Sequence, residues 1–303
     1  MSARTRELGC GIAGLLLLAA LPYLFDVYWQ QLGFRALQLL TLALAWNLLA
    51  GYCGQVSLGT GAFVGLGAYA LALSANRWSL PPALLLPLAG AVAAAGAALL
   101  SPGVFRTRGL YFTVGTLALA EAVRLLMVNL PTFGGTRGVV LQSAALPFYL
   151  MYWLALLVAA VAALVCWLLL RSPASLALRA VRDDELVAAE MGVRVFRVKT
   201  ACFMLSAFLA GVAGGLQAIK LGVIEPYGAF GLSWTIDTVA VVVIGGLGSG
   251  LGPLFGTLVY VALAELLRGQ PELHGAFTGL CLLLVVRLAP RGLASLLRGR
   301  RRG

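Results

Sequence analysis

Glu121 and Arg124 stand three residues apart inside an apolar run over about 109–129, so on a helix they share a face and can neutralise each other. Asn129 follows about one turn further on. Other polar residues sit singly in apolar surroundings: Asn47, Gln55 and Ser57 early in the chain, Asp237 and Glu265 late. At membrane depth such groups face a bundle interior or a cavity, because a charge at a helix centre costs about 2.5–3.5 kcal/mol. Two readings follow: these side chains line a permeation path, or they lock helices together. Carboxylates this few and scattered give poor support to a proton relay or a sodium site.

Several chemistries find no residues to carry them. There is no G-x-x-x-x-G-K-[ST] segment, so the chain is not expected to bind ATP or any other cofactor itself. The one histidine, His274, cannot make a metal cluster or a Ser–His pair, and no HExxH or G-x-S-x-G motif occurs. An enzyme is therefore not expected. The five cysteines, Cys10, Cys53, Cys166, Cys202 and Cys281, show no CxxC spacing.

Two glycine-rich breaks interrupt the apolar runs. One holds Gly51, Gly54, Gly59 and Gly61; the other holds Gly245, Gly246, Gly248, Gly250 and Gly252, followed by Pro253. Small residues of this kind let helix backbones approach closely. Both fit G-x-G-x-[F/L]-x-G, at Gly59 to Gly65 and at Gly250 to Gly256, a faint sign of two related halves. A third glycine-rich segment, with Thr132, Gly134, Gly135 and Thr136, reads as a loop: a turn, or a platform for a partner or ligand.

The elements that must hold these residues are membrane helices. Of 303 residues 61% are apolar and only 11% charged, against roughly 25% charged in soluble domains. Apolar runs near the ~20 residues needed to cross hydrocarbon recur along the chain. The fold class is thus all-α, a polytopic membrane bundle of about ten spans in one transmembrane domain over 1–303. The expected spans are 10–25, 34–50, 57–75, 81–100, 109–129, 147–170, 199–220, 235–247, 252–267 and 275–289, the eighth and tenth being short.

Charge orients the bundle. With the N-terminus inside, alternation puts Arg106, Arg108, the segment 171–199 and the C-terminal tail on the same side, with 16 of the 22 basic residues. Excess Lys and Arg mark the cytoplasmic side, so both termini are placed there. This also accounts for the net charge of +11 without invoking nucleic acid.

The segment 171–199 is the only long polar stretch between spans. Ser172 followed by Pro173 can open a helix, Arg179 can pair with Asp183, and Gly192 can close it in a left-handed cap. The expectation is one amphipathic helix of about five turns, with an apolar stripe of Val181, Leu186 and Ala189. It is either a connector lying on the membrane surface or a docking element for a cytoplasmic partner.

The ordered motifs resemble those of the branched-chain amino-acid permeases of ATP-binding-cassette importers. The resemblance rests on Trp46-Asn47 through Gly51-Tyr52-Cys53-Gly54-Gln55-Val56-Ser57-Leu58-Gly59, on Arg108-Gly109-Leu110-Tyr111-Phe112 with Glu121 and Arg124, and on the Thr132 to Gly138 loop. It rests also on Arg179 to Gly192 and on Gly245-Gly246-Leu247-Gly248-Ser249 with Gly252-Pro253. It covers about 40–270 and is similar to the Met-type subunit of these importers. The resemblance implies a bacterial inner-membrane permease that pairs with a second permease and two cytoplasmic ATPases, which hold the ATP. A solute-binding protein would deliver the cargo from outside. It further implies that Arg179, Arg182, Asp183, Asp184, Glu185, Glu190, Met191 and Gly192 form the ATPase-coupling loop. Branched-chain amino acids are the implied cargo. Urea, short amides, sugars or nucleosides on the same architecture are the alternative, and an ion-coupled transporter a remoter one.

Overall fold

The computed structural model describes residues 26–266, except 79 and 143–145, together with Gly279. The expected spans over 10–25 and 275–289 lie outside the described residues, Gly279 apart. Each of the other eight has a helix at its position: α1 Val27–Trp46, α2 Thr60–Trp78, α3 Leu86–Val104, α4 Leu110–Asn129, α5 Phe148–Arg171, α8 Val195–Leu221, α10 Leu232–Gly245 and α11 Gly252–Leu266. Between α5 and α8 come α6 Ala174–Asp183 and α7 Glu185–Glu190; α9 Pro226–Ala229 precedes α10. Among the described residues six helical segments are long and apolar enough to cross a membrane, and α11 is a shorter apolar helix. The protein is an all-α multi-pass membrane protein. Its one departure among the described residues is a two-residue antiparallel ladder of β1 Val139–Val140 with β2 Val223–Ile224.

The bundle is built around α8, which packs against α3, α2, α1 and α5. The contacts are close because small residues meet. A side chain on Gly214 would strike the backbone of Val64, and one on Gly67 the backbone of Gly211. Helix α2 owes its place to this packing. Asn76 and Arg77 lower its apolarity, yet most of it is buried within the chain.

Consecutive long helices run in opposite directions. One end of the bundle carries residues 53–56, 105–109, 171–194 and 246–251; the other carries 130–140 and 222–225, and the chain over 226–231 then comes to lie against Gly61 and Gly65 of α2. Helix α1 does not stop as a plain α-helix. It widens into a π-helix over Asn47–Tyr52, and Gln55 N donates to Leu49 O at 3.0 Å. Such widened turns are rare and concentrate at functional sites.

Four expectations for the 171–199 segment change. The single helix is two, broken at Asp184, whose backbone is extended and whose Oδ1 accepts from Leu186 N at 2.8 Å and Val187 N at 3.2 Å. The break resets the helical phase, so the buried residues are Leu178, Val181 and Ala188, while Leu186 and Ala189 are exposed. Ser172 gives no side-chain cap; its hydroxyl donates back to Leu169 O at 2.7 Å. Arg179 and Asp183 do not form the expected ion pair. Gly192 is left-handed, at φ 87°. Asp184→Ala removes the cap of α7 and should cost about 1 kcal/mol of local stability. Faster amide exchange at Leu186 and Val187, measured by hydrogen–deuterium exchange, is the expected sign.

Candidate functional site

Three segments far apart in sequence meet at one end of the bundle. Leu178 and Val181 of α6 and Ala188 of α7 bury against Leu48, Leu49 and Cys53. This seats the two short helices on the π turn that ends α1. Arg182 then extends its guanidinium to Gly51 O, with Nη1 at 2.6 Å. The same guanidinium lies against Gly248.

The two glycine-rich breaks touch directly. A side chain on Gly51 would lie 2.6 Å from Gly248 N and 2.9 Å from Gly248 Cα, so only hydrogen fits between them. Asn47 ties the pair together: its Nδ2 donates to Ser249 O at 3.1 Å and its Oδ1 accepts from Gly248 N at 2.8 Å. Gly245 and Gly252 are in backbone contact at the next turn, where Gly246 and Gly248 take positive φ.

Glu185, the first residue of α7, is the hub of the junction. Its Oε1 pairs with Lys199 of α8 and accepts from Gln55 Nε2 at 3.2 Å; its Oε2 lies 3.8 Å from Arg108 Nε. Lys199 is 2% exposed. Its ammonium lies 5.5 Å from the centre of the Phe105 ring, which stacks on Phe112 at 5.6 Å and meets Phe203 edge-on at 5.5 Å. Aromatic walls lower the local dielectric and strengthen the attraction between the paired charges. Arg108 remains solvent-accessible, so its longer contact contributes far less.

Gln55 and Ser57 form the loop that leads away. Ser57 Oγ accepts from Gly59 N at 3.1 Å, and Ser57 O accepts from Trp46 Nε1 at 2.7 Å. Gly59 in turn abuts the backbone of Thr116 in α4. Glu190, Met191 and Asp183 are exposed and face outward.

The remaining polar residues lie elsewhere. Glu121 and Arg124 pair on the outer surface of α4, with Arg124 Nε 2.9 Å from Glu121 Oε2 and the guanidinium 4.7 Å over the Tyr227 ring. Asn129 donates to Leu125 O of its own helix at 2.8 Å. Asp237 accepts from Tyr260 OH at 2.7 Å, joining α10 to α11. The third glycine-rich loop is more than one turn. It runs through the short 3₁₀ helices Pro131–Phe133 and Gly135–Arg137 with left-handed Gly134, then pairs as β1, with Thr136 exposed.

Two partners were not singled out from the residues alone: Lys199, read only as one of several basic residues in a polar segment, and the aromatic box. The signal available was a lysine in the first turns of a mainly apolar helix, between Phe196 and Phe203.

A many-helix membrane bundle with a glycine-packed junction under two short amphipathic helices defines a transport permease. The chain belongs to the family of permease components of branched-chain amino acid transport systems, whose pattern matches residues 30–286. It is similar to the high-affinity branched-chain amino acid transport system permease protein LivM of Escherichia coli, 29% identical over 95% of this chain and 75% of that one. The LivM protein of Salmonella typhimurium is 30% identical over the same shares. The autoinducer 2 import system permease protein LsrC of an Enterobacter species is 30% identical over 84% of this chain and 76% of that one. No solved structure matches the chain.

Proposed function

We propose that this chain is a non-enzymatic permease subunit of an ATP-driven importer for branched-chain amino acids, working in the bacterial inner membrane beside a second permease. The observation that carries the reading is the junction itself. Asn47, Gly51, Gln55, Arg182, Glu185 and Gly248 come together where two short helices meet the membrane bundle. In this reading α6 and α7 are the cytoplasmic coupling helices, and both termini lie on that side, as the basic residues suggest. Leu176, Leu186, Val187 and Met191 are exposed on them, an apolar surface fit for an ATPase subunit. ATP is held by that partner, and closure of two ATPase subunits moves α6 and α7. Arg182 and Glu185 pass the motion to the π turn of α1 and to α8.

The second permease belongs against α4. A charged pair on the outside of a membrane helix is costly to leave in lipid, so Glu121 and Arg124 call for protein or water over that face. They stand at the interface between permeases or along the path it encloses. On the side away from α6, the Thr132 to Thr136 loop is available to a solute-binding protein.

Capture of the neighbouring ATPase subunits by the tagged chain tests the coupling assignment. Leu186→Glu with Met191→Glu should weaken capture by about tenfold or more while the bundle stays folded. Undiminished capture would remove α7 as the docking element. Cargo other than branched-chain amino acids is the second reading, since relatives include an import permease named for autoinducer 2 and one named for ribose. Calorimetry of the cognate binding protein with leucine and with ribose separates the two.

A further inference from the structure

At the end of the bundle away from α6, a cavity of about 220 Å³ opens between α1, α8 and α10. Its wall carries Arg35, Lys220 and Asp237, with Gln38, Gln217 and Ser233. Arg35 and Lys220 are close enough for their charges to repel. Among the described residues neither cation has a carboxylate at ion-pair distance, and Lys220 has only the Phe34 ring, 5.0 Å away. Asp237 accepts from Tyr260 OH and, among the described residues, has no cation at ion-pair distance. One cavity therefore holds charges of both signs that do not neutralise one another.

Two adjacent unpaired cations need an anion, and a carboxylate facing them needs a cation. Arg35 is exposed, whereas Lys220 and Asp237 are half-buried, so a ligand that carries both signs gains from each, most at the two half-buried groups. A second cavity of about 380 Å³ shares Gln217 and Trp234 with the first. It is lined mainly by apolar groups, among them Val64, Ala68, Ile224 and Ala229, with Glu225 also on its wall. The larger of the two volumes is in the range of small-molecule sites, about 300–1,000 Å³.

The geometry points to a binding site for a zwitterionic α-amino acid with an aliphatic side chain. Arg35 and Lys220 receive its carboxylate, Asp237 receives its ammonium, and the side chain enters the space beyond Trp234. The inference rests on the permease reading, which puts this end on the side where solute arrives.

The test measures saturable binding of radiolabelled L-leucine to the purified full-length chain in lipid nanodiscs. 4-Methylpentanoate, without the ammonium, and 3-methylbutylamine, without the carboxylate, serve as competitors. Each competitor should be about tenfold or more weaker than leucine, and Arg35→Gln, Lys220→Gln and Asp237→Asn should each weaken leucine binding by a similar factor. Arg35→Lys should recover part of the loss, and circular dichroism shows which variants remain folded. The inference is overturned if the wild-type chain does not bind leucine saturably. It is equally overturned if folded variants bind it unchanged, or if 4-methylpentanoate competes as well as leucine, the mark of a plain anion site. ATP-driven leucine uptake by the complete transporter in vesicles is scored separately: its absence would count against the permease reading, whatever the binding result.

Discussion

Glu185→Ala should be the most destabilising single change at the junction, by about 3–5 kcal/mol, the usual cost of leaving one member of a buried pair behind. Lys199 is 2% exposed and enclosed by Phe105 and its aromatic neighbours, so its charge has no water to turn to once the carboxylate is gone. Arg108 would stay nearby and add repulsion. Adding Lys199→Met should return much of the loss, because an apolar chain of similar length suits the same box and no charge remains. Thermal unfolding of the purified chain, with both single variants and the double, measures the interaction between the two sites. Additive losses would show that the pair is not the source. Glu185→Gln should fall between wild type and alanine, since an amide oxygen still accepts from Gln55 and Lys199.

Gly51→Ala should abolish most transport, by about tenfold or more, while ATPase capture persists. The added methyl has nowhere to go: Gly248 backbone lies 2.6–2.9 Å away and Asn47 Oδ1 crowds the other side. Separation of the two loops would break the Asn47 bonds to Gly248 and Ser249 and shift Gly51 O away from Arg182. Two or three lost hydrogen bonds at about 1 kcal/mol each are enough for that factor. The expected signature is uncoupling: ATP hydrolysis by the assembled complex continues while uptake in vesicles falls. Parallel loss of assembly and uptake would instead mean that Gly51 serves folding alone.

Much of this architecture was legible in the residues. Runs of about 20 apolar residues have few alternatives to a spanning helix, and helices occupy every expected position that falls within the described residues. Gln55, Glu185 and the glycines were marked by ordered motifs. Their convergence was not legible, because spacing along a chain does not say which loops share an end of a bundle at contact distance. The segment 171–199 was misread for a local reason. Asp184 can continue a helix or cap the next one, and the cap prevailed once Glu185 found Lys199 and Gln55. That reset the phase and exchanged Leu186 and Ala189 for Leu178 and Ala188 as buried residues. The π turn was hidden because residues 46–52, Asn47 apart, continue the apolar pattern of the helix before them; the widening answers to tertiary contacts made by Asn47 and Gly51.

Helix α8 holds Lys199 near one end and Lys220 near the other, on a single uninterrupted 27-residue rod. At 1.5 Å per residue the two lysines are separated by about 30 Å. A rod of that kind behaves as a see-saw: a tilt of about 5° around its middle carries either ammonium sideways by roughly 1.3 Å. If Glu185 is tugged as proposed, the rod delivers the pull as a change of reach beside Arg35 and Asp237, and the proposed grip on a passenger loosens without any message having to travel from side chain to side chain.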